Sequence, residues 1–208
     1  MEDPNIAARR DRDLAGLCHA LMNPLTVVLG YAQLLSARKD LDEDVRTQVS
    51  RIAQEAKECS RLIEQVRSAT SRPLSLETSR AAVADLPRRR VLVVDDEPVI
   101  QKLTAEALGR DNLVVGVSSA EEAHQRLLTE SFDVVLLDLS LAGEISGRTF
   151  YENLLVHQPE IAGCVVFVTG GFVDIEVQDF VTNSGREFLQ KPFHLRALRD
   201  VVARAAGA

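Results

Sequence analysis

The chain has 208 residues, 46% of them hydrophobic and 26% charged, a composition typical of a globular protein with one or two domains. Residues 1–88 carry 13 basic and 13 acidic side chains, so residues 89–208 account for the whole net charge of −7, which argues against nucleic acid as a partner. No apolar run approaches the roughly 20 residues of a membrane span, and three cysteines without a C-x-x-C pair fit a reducing cytoplasm. We therefore expect a cytoplasmic protein that binds neither nucleic acid nor membranes.

The first half of the chain predicts two amphipathic helices. Apolar residues recur there in alternating steps of four and three, and the polar segment 36–44 interrupts this heptad pattern. The first stripe holds Leu14, Cys18, Leu21, Leu25, Val28, Ala32 and Leu35, and the second Val45, Val49, Ile52, Ala56, Cys59, Ile63 and Val66. We expect an all-α helical hairpin over residues 10–70. Pairing two hairpins into a four-helix bundle would bury both stripes and predicts a homodimer; alternatively, the hairpin packs on its own second domain.

The second half predicts alternating strands and helices. Residues 71–88 contain two prolines and no sustained periodicity, which indicates a linker with one short helix near residues 80–85. Predicted strands then cover residues 91–94, 113–117, 134–137, 164–168 and 187–189, and predicted helices cover residues 99–108, 120–129, 147–157, 174–183 and 194–206. Five such units with apolar strands predict a doubly wound α/β domain with a five-stranded parallel sheet over residues 89–206.

Polar residues that follow the predicted strands indicate the chemistry. Asp95 and Asp96 follow the first strand, Asp138 the third, Thr169 ends the fourth, and Lys191 follows the fifth. The carboxyl ends of parallel strands meet at one edge of a sheet, so three carboxylates converge there. Such carboxylates need a cation, and hard oxygen ligands suit Mg²⁺. A lysine and a hydroxyl at the same point would bind phosphoryl oxygens, which predicts phosphoryl transfer to Asp138 as the nucleophile.

Residues 89–206 resemble a response-regulator receiver domain, which has a flavodoxin-like fold. The acidic pair, the acceptor aspartate, the threonine and the Lys-Pro dipeptide occur in the family's order and at nearly its spacing. The resemblance implies that Asp96, Asp138 and the backbone carbonyl of Ser140 ligate Mg²⁺, with Asp95 assisting through water.

The same resemblance implies a conformational switch. Thr169 and Phe188 would form the pair that reports phosphorylation to the face formed by the fifth strand and the fourth and fifth helices of the domain. The loop after Asp138 departs from the family pattern, because Leu-Ala stands where Met-Pro is usual. Gly147 also follows Asp138 by nine residues rather than the usual eight, so the loop carries one extra residue.

The stretch HALMNPLT at residues 19–26 resembles the phosphoacceptor box of sensor histidine kinases, in which a dimerising hairpin carries the reactive histidine. The resemblance implies that His19 accepts a phosphoryl group. It also places Asn23 at the position of a water-orienting phosphatase residue. Ala20 departs from the family, which usually has an acidic residue there as general base. The glycines form no D-x-G-x-G or G-x-G pattern, so we expect no ATP-binding domain and no autonomous ATP-dependent kinase activity.

Three functions follow from these patterns. In the first, a phosphorelay protein passes phosphoryl groups between His19, Asp138 and partners, which would be sensor histidine kinases or other response regulators. In the second, the hairpin is a non-catalytic dimeric module that docks on or sequesters such a partner under the control of Asp138 phosphorylation. The third, a self-sufficient kinase, conflicts with the missing nucleotide site. A phosphatase role for the hairpin through Asn23 also stays open.

Overall fold

The computed structural model describes residues 4–68, 88–170 and 175–207. A helical hairpin precedes an α/β domain, in agreement with the predicted fold class. The predicted linker, with its short helix, lies outside the described residues apart from Arg88. Within the described ranges, no helix combines the length and the apolar character that crossing a membrane requires.

Two long helices form the hairpin. Helix α1 spans Pro4–Ser36 and helix α2 spans Glu43–Ser68, and the two pack against each other. Pro24 lies inside α1 with its ring exposed, and the helix continues past it. In the polar turn, the guanidinium of Arg38 donates to both carboxylate oxygens of Asp40, at 3.1 and 2.6 Å. The carboxylate of Asp42 accepts a 2.9 Å hydrogen bond from the N–H of Asp44 and so caps the start of α2.

The two heptad stripes divide between the inside and the outside of the hairpin. Alternate stripe positions are buried, namely Cys18 and Ala32 on α1 and Val49 and Ala56 on α2. The positions between them are 38–51% exposed, and we call these residues the apolar ridge: Leu21, Val28, Leu35, Val45 and Ile52. Among the described stripe residues, one hairpin therefore buries these four positions, while the apolar ridge faces outwards.

The α/β domain contains one parallel sheet with strand order β2-β1-β3-β4-β5. The strands are β1 (Arg89–Val94), β2 (Asn112–Val117), β3 (Val134–Asp138), β4 (Val165–Thr169) and β5 (Phe188–Gln190). The helices are α3 (Pro98–Leu108), α4 (Ala120–Thr129), α5 (Gly147–His157), α6 (Pro159–Gly163), α7 (Ile175–Ser184) and α8 (Leu195–Ala205). Only α6 was not predicted, because five residues are too few for a readable helical period.

A buried hydrophobic cluster covers each face of the sheet, so the functional site lies at the edge where the strands end. Leu92 and Val94 of β1 belong to one buried cluster, whereas Val91 and Val93 belong to the other. This alternation is the period of two of a β-strand. From β1 the chain adds β2 on one side of the sheet and then β3 on the other side. The carboxyl ends of β1 and β3 therefore flank a crevice outside the sheet.

The hairpin also contacts the α/β domain. Helix α1 packs against α3, and Tyr31 and Leu34 lie against the core cluster that α3 and α8 cover. The apolar ridge remains exposed at the same time. The hairpin thus packs on its own second domain, one of the two arrangements expected from the sequence, and keeps a separate apolar surface.

Candidate functional site

Three carboxylates meet at the crevice between β1 and β3. Asp95 and Asp96 directly follow β1, and Asp138 is the last residue of β3. Each contributes a carboxylate oxygen, and these oxygens lie within 4.8 Å of one another. Asp95 and Asp138 are buried, whereas Asp96 is half-buried. The acidic pocket is therefore most accessible from the side of Asp96.

Lys191 provides a buried positive charge in the same pocket. It directly follows β5, and its Nζ donates hydrogen bonds of 2.8 Å to Asp95 Oδ2 and 2.7 Å to Asp138 Oδ2. Burial by itself lowers the pKa of this ammonium, but the charges of Asp138 and Asp95 outweigh burial and raise the pKa. Lys191 therefore stays protonated and holds the acceptor carboxylate in place.

The pocket has the charge and the donor atoms of a magnesium site. Burial is the main cause that raises the pKa of Asp95 to about 6; Lys191 opposes the rise, and the charge of Asp138 adds to it. Three aspartates and one lysine give the pocket an excess of two negative formal charges. Mg²⁺ prefers hard oxygen ligands and carries the matching charge, so Asp95, Asp96 and Asp138 fit this ion.

The other residues predicted for the α/β site lie beside the pocket. The N–H of Ser140 donates a 2.8 Å hydrogen bond to Asp138 Oδ1, which holds the loop backbone against the acceptor. Thr169 is the buried last residue of β4, and its carbonyl accepts a 2.7 Å bond from the N–H of Lys191. Phe188 begins β5 opposite Phe167 of β4, half-buried against the core. Phe188 is thus separated from the pocket by the length of β5.

The structure explains why a glycine stands at position 147. Gly147 begins α5 and is buried against the end of β3. A Cβ atom there would collide with the carbonyl oxygen of Asp138 and would lie 2.9 Å from Cα of Leu139. The loop after the acceptor can close on β3 only because this residue has no side chain.

The hairpin approaches the pocket through Asn23. This buried side chain donates a hydrogen bond from Nδ2 to Oε1 of Glu97, whose own N–H donates a 2.9 Å bond to Asp95 Oδ1. His19 lies in α1 one helical turn before Asn23, on the same side of the helix. The side chain of His19 lies outside what the structure describes. Glu97 was missed from the sequence, because nothing in its spacing separates it from an ordinary surface charge.

Comparison with known families identifies both parts of the chain. The model of the response regulator receiver domain matches residues 91–203, which is more than half of the chain. The chain belongs to the response regulator receiver family. The model of the His Kinase A (phospho-acceptor) domain matches residues 9–72, and no ATP-binding domain is matched. The receiver and the phospho-acceptor hairpin thus occur together, as the two resemblances predicted.

Curated proteins are similar to part of this chain. Response regulator protein PilR of Pseudomonas aeruginosa is 31% identical over 121 residues, which cover 58% of this chain and 26% of PilR. Transcriptional regulatory protein ComA of Bacillus subtilis is 32% identical over 96 residues, 44% of this chain and 42% of ComA. The chain therefore matches less than half the length of these curated relatives.

Solved structures show the same fold. A CheY-like response regulator receiver domain from Methanospirillum hungatei JF-1 covers 58% of this chain and 94% of its own, with a TM-score of 0.52 and 24% identity. Receiver domains generally bind Mg²⁺ at an acidic pocket such as the one formed here by the three aspartates. A receiver joined to a phospho-acceptor hairpin places the protein in two-component signalling.

Proposed function

We propose that the receiver accepts a phosphoryl group on Asp138 with Mg²⁺, and that a dimeric hairpin offers His19 for phosphotransfer with a partner. The proposal divides the chain into a hairpin over residues 10–70, a linker over 71–88 and a receiver over 89–206. The observation that carries it is the buried ammonium of Lys191, held against both Asp95 and Asp138. A lysine shared by two buried carboxylates, with a third carboxylate beside them, is the kind of charged cluster that marks functional sites.

The acceptor carboxylate would act as the nucleophile. An oxygen of Asp138 attacks the phosphorus of the donor, the bond from phosphorus to the donor's nitrogen or oxygen breaks, and an aspartyl phosphate forms. Lys191 then exchanges Asp138 Oδ2 for a phosphoryl oxygen, and the hydroxyl of Thr169 binds another. Reorientation of Thr169 and Phe188 would report the new state.

Asp96, Asp138 and the Ser140 carbonyl would hold Mg²⁺, with Asp95 assisting through water. The ion would offset the negative charge of the phosphoryl oxygens during transfer. The excess of negative charge in the pocket supports this assignment.

The hairpin would exchange phosphoryl groups with other proteins rather than with ATP. Ala20 has no group that could take the imidazole proton of His19, so the phosphoryl group must come from a partner. That partner would be a sensor histidine kinase, or another response regulator whose phosphoaspartate transfers backwards. The position of Asn23, four residues after His19, supports a second role for the hairpin, in which Asn23 orients water for dephosphorylation.

The apolar ridge supports a homodimer. Five large apolar side chains in heptad positions stay 38–51% exposed in a single chain. An exposed apolar surface of this kind marks an interaction site, and a second hairpin offers the same spacing. The pair would form a four-helix bundle that buries both ridges.

Labelling experiments test the two phosphorylation sites. Acetyl phosphate with Mg²⁺ should label wild type but not Asp138→Asn, whereas Mg-ATP alone should label nothing. A phosphorylated partner should give a base-stable label on His19, which His19→Gln removes and Asp138→Asn retains. Wild-type labelling of Asp138→Asn by acetyl phosphate would contradict the acceptor assignment.

The second candidate function is a non-catalytic module that docks on or sequesters a partner kinase or regulator. Ala20 favours it, because the usual acidic neighbour of the histidine is missing. It predicts that no kinase or phosphorylated receiver from the same organism labels His19. It also predicts that His19→Gln binds the partner as tightly as wild type.

A further inference from the structure

Gln101 connects two loops at the carboxyl edge of the sheet. Its side chain extends from α3, and its Nε2 donates a 2.7 Å hydrogen bond to the backbone carbonyl of Asp95. The same nitrogen donates a 3.0 Å bond to Oγ of Ser118, in the loop between β2 and α4. A carbonyl oxygen can only accept, so the end of the amide that faces Asp95 is its NH2 group. Two acceptors for the two N–H bonds hold the side chain in one orientation.

The carbonyl that accepts from Gln101 belongs to the peptide unit between Asp95 and Asp96. A peptide unit is planar, so a hydrogen bond to its oxygen fixes the direction in which the chain continues into Asp96. The carboxylate of Asp95 has contacts of its own, because Glu97 N–H donates to its Oδ1 at 2.9 Å and Lys191 to its Oδ2 at 2.8 Å. Within the described residues, no hydrogen bond holds the carboxylate of Asp96. The position of that carboxylate therefore depends on the backbone that Gln101 holds.

Gly116 leaves the space that the side chain of Gln101 occupies. A Cβ atom at position 116 would lie 2.5 Å from Oε1 of Gln101 and 3.1 Å from its Cδ. The backbone itself does not require a glycine, because Gly116 lies within β2 and lacks the positive φ that favours this residue. The clash involves the end of a flexible side chain, so a methyl group at position 116 would displace the Gln101 amide and leave β2 intact. Position 116 thus offers a way to move Gln101 without replacing it.

We infer that Gln101 is a positioning residue for the magnesium site. It fixes the peptide unit between Asp95 and Asp96 so that the carboxylate of Asp96 lies beside those of Asp95 and Asp138, and Gly116 provides the room for it. Groups that orient metal ligands in this way typically change metal affinity by about 10–100-fold. The part that concerns Mg²⁺ rests on the proposed function, whereas the orientation of the peptide unit does not.

Calorimetric titration of the full chain with Mg²⁺ measures this effect. Gln101→Met keeps the length of the side chain but removes its donor, so its Kd for Mg²⁺ should rise by about tenfold. Gly116→Ala should also raise the Kd, because its methyl group displaces the amide of an unchanged Gln101. Gln125→Met, the same exchange at an exposed site on α4, is the matched control and should keep the wild-type Kd. A wild-type Kd in both Gln101→Met and Gly116→Ala would overturn the inference, even if urea unfolding showed that both variants had lost stability.

The N–H bond of Asp96 reports the orientation of the peptide unit without any ion. It lies in the same plane as the carbonyl of Asp95, and its residual dipolar coupling can be measured by NMR in the presence of a chelator. The coupling should change in Gln101→Met and in Gly116→Ala and should keep its wild-type value in Gln125→Met. An unchanged coupling in both of the first two variants would overturn the role of Gln101 in orienting this peptide unit. A wild-type protein that binds no Mg²⁺, while the coupling still changes in Gln101→Met, would support that orienting role and count against the proposed function alone.

Discussion

The ammonium of Lys191 donates a 2.7 Å hydrogen bond to Oδ2 of Asp138, and both side chains are almost fully buried. The proposed nucleophile is therefore already paired with a protein cation that directly follows β5. Phosphorylation would require this pair to separate, since the lysine would move to the phosphoryl group. The ion pair of Lys191 with Asp138 should therefore affect both the stability of the receiver and the phosphorylation of Asp138.

Replacing Lys191 should make the receiver depend on Mg²⁺. Lys191→Met leaves Asp95 and Asp138 buried without their cation, and breaking a buried pair from one side costs about 3–5 kcal/mol of unfolding free energy. Urea unfolding in the presence of a chelator should show this loss, and Mg²⁺ should recover part of it. Arg196→Met removes an ion pair whose arginine is 74% exposed, so it should change stability by less than about 1 kcal/mol. A Lys191→Met variant as stable as wild type in chelator would contradict the role of the pair.

Mg²⁺ itself should stabilise the folded protein through Asp96. An ion that binds only the folded state adds about 2.7 kcal/mol at a concentration of 100 Kd, which raises the melting temperature. Asp96→Asn removes one carboxylate from the pocket and should abolish most of this rise in a thermal-shift measurement. Asp111→Asn, at an exposed site before β2, should keep the full rise. An equal rise in both variants would show that the ion binds elsewhere.

Gly147→Ala should damage the acceptor loop. The new methyl group meets the carbonyl oxygen of Asp138 and Cα of Leu139, so the loop must move away from β3. Overpacking of this kind costs about 1–3 kcal/mol, and labelling of Asp138 by acetyl phosphate should slow as well. Gly163→Ala is the control, because its Cβ would meet only one guanidinium nitrogen of Arg186, at 3.9 Å. Labelling and stability of Gly163→Ala should match wild type.

A charged substitution on the apolar ridge should affect the dimer, whereas one inside the hairpin should affect folding. Ile52 is 51% exposed on the apolar ridge, so Ile52→Glu should dissociate the dimer and leave the helical content unchanged. Ala56 is 4% exposed inside the hairpin, so Ala56→Glu should bury an unpaired charge and unfold the two helices. Light scattering and circular dichroism separate these outcomes. A wild-type protein that scatters as a monomer at tens of micromolar would refute the dimer.

Local sequence patterns are enough to predict the helices, the strands and the polar residues at the strand ends. The first half has a seven-residue apolar repeat, which predicts helices, and the second half has five short apolar runs, which predict strands. Both patterns are local properties of the chain. Once the strands are parallel, Asp95, Asp138 and Lys191 lie at the same edge of the sheet, because each directly follows or ends a strand. The prediction of the acidic pocket therefore needed only the order of the residues.

Contacts between distant segments could not be predicted from these local patterns. Which half of each stripe is buried, why Glu97 faces Asn23, and why Gly30 must lack a side chain all depend on how α1 lies against α3. Leu103 is one apolar residue among many in the sequence, and only packing brings it against Gly30. The physical reason is that backbone periodicity acts within a few residues, whereas steric fit and buried hydrogen bonds act between surfaces that meet only after folding.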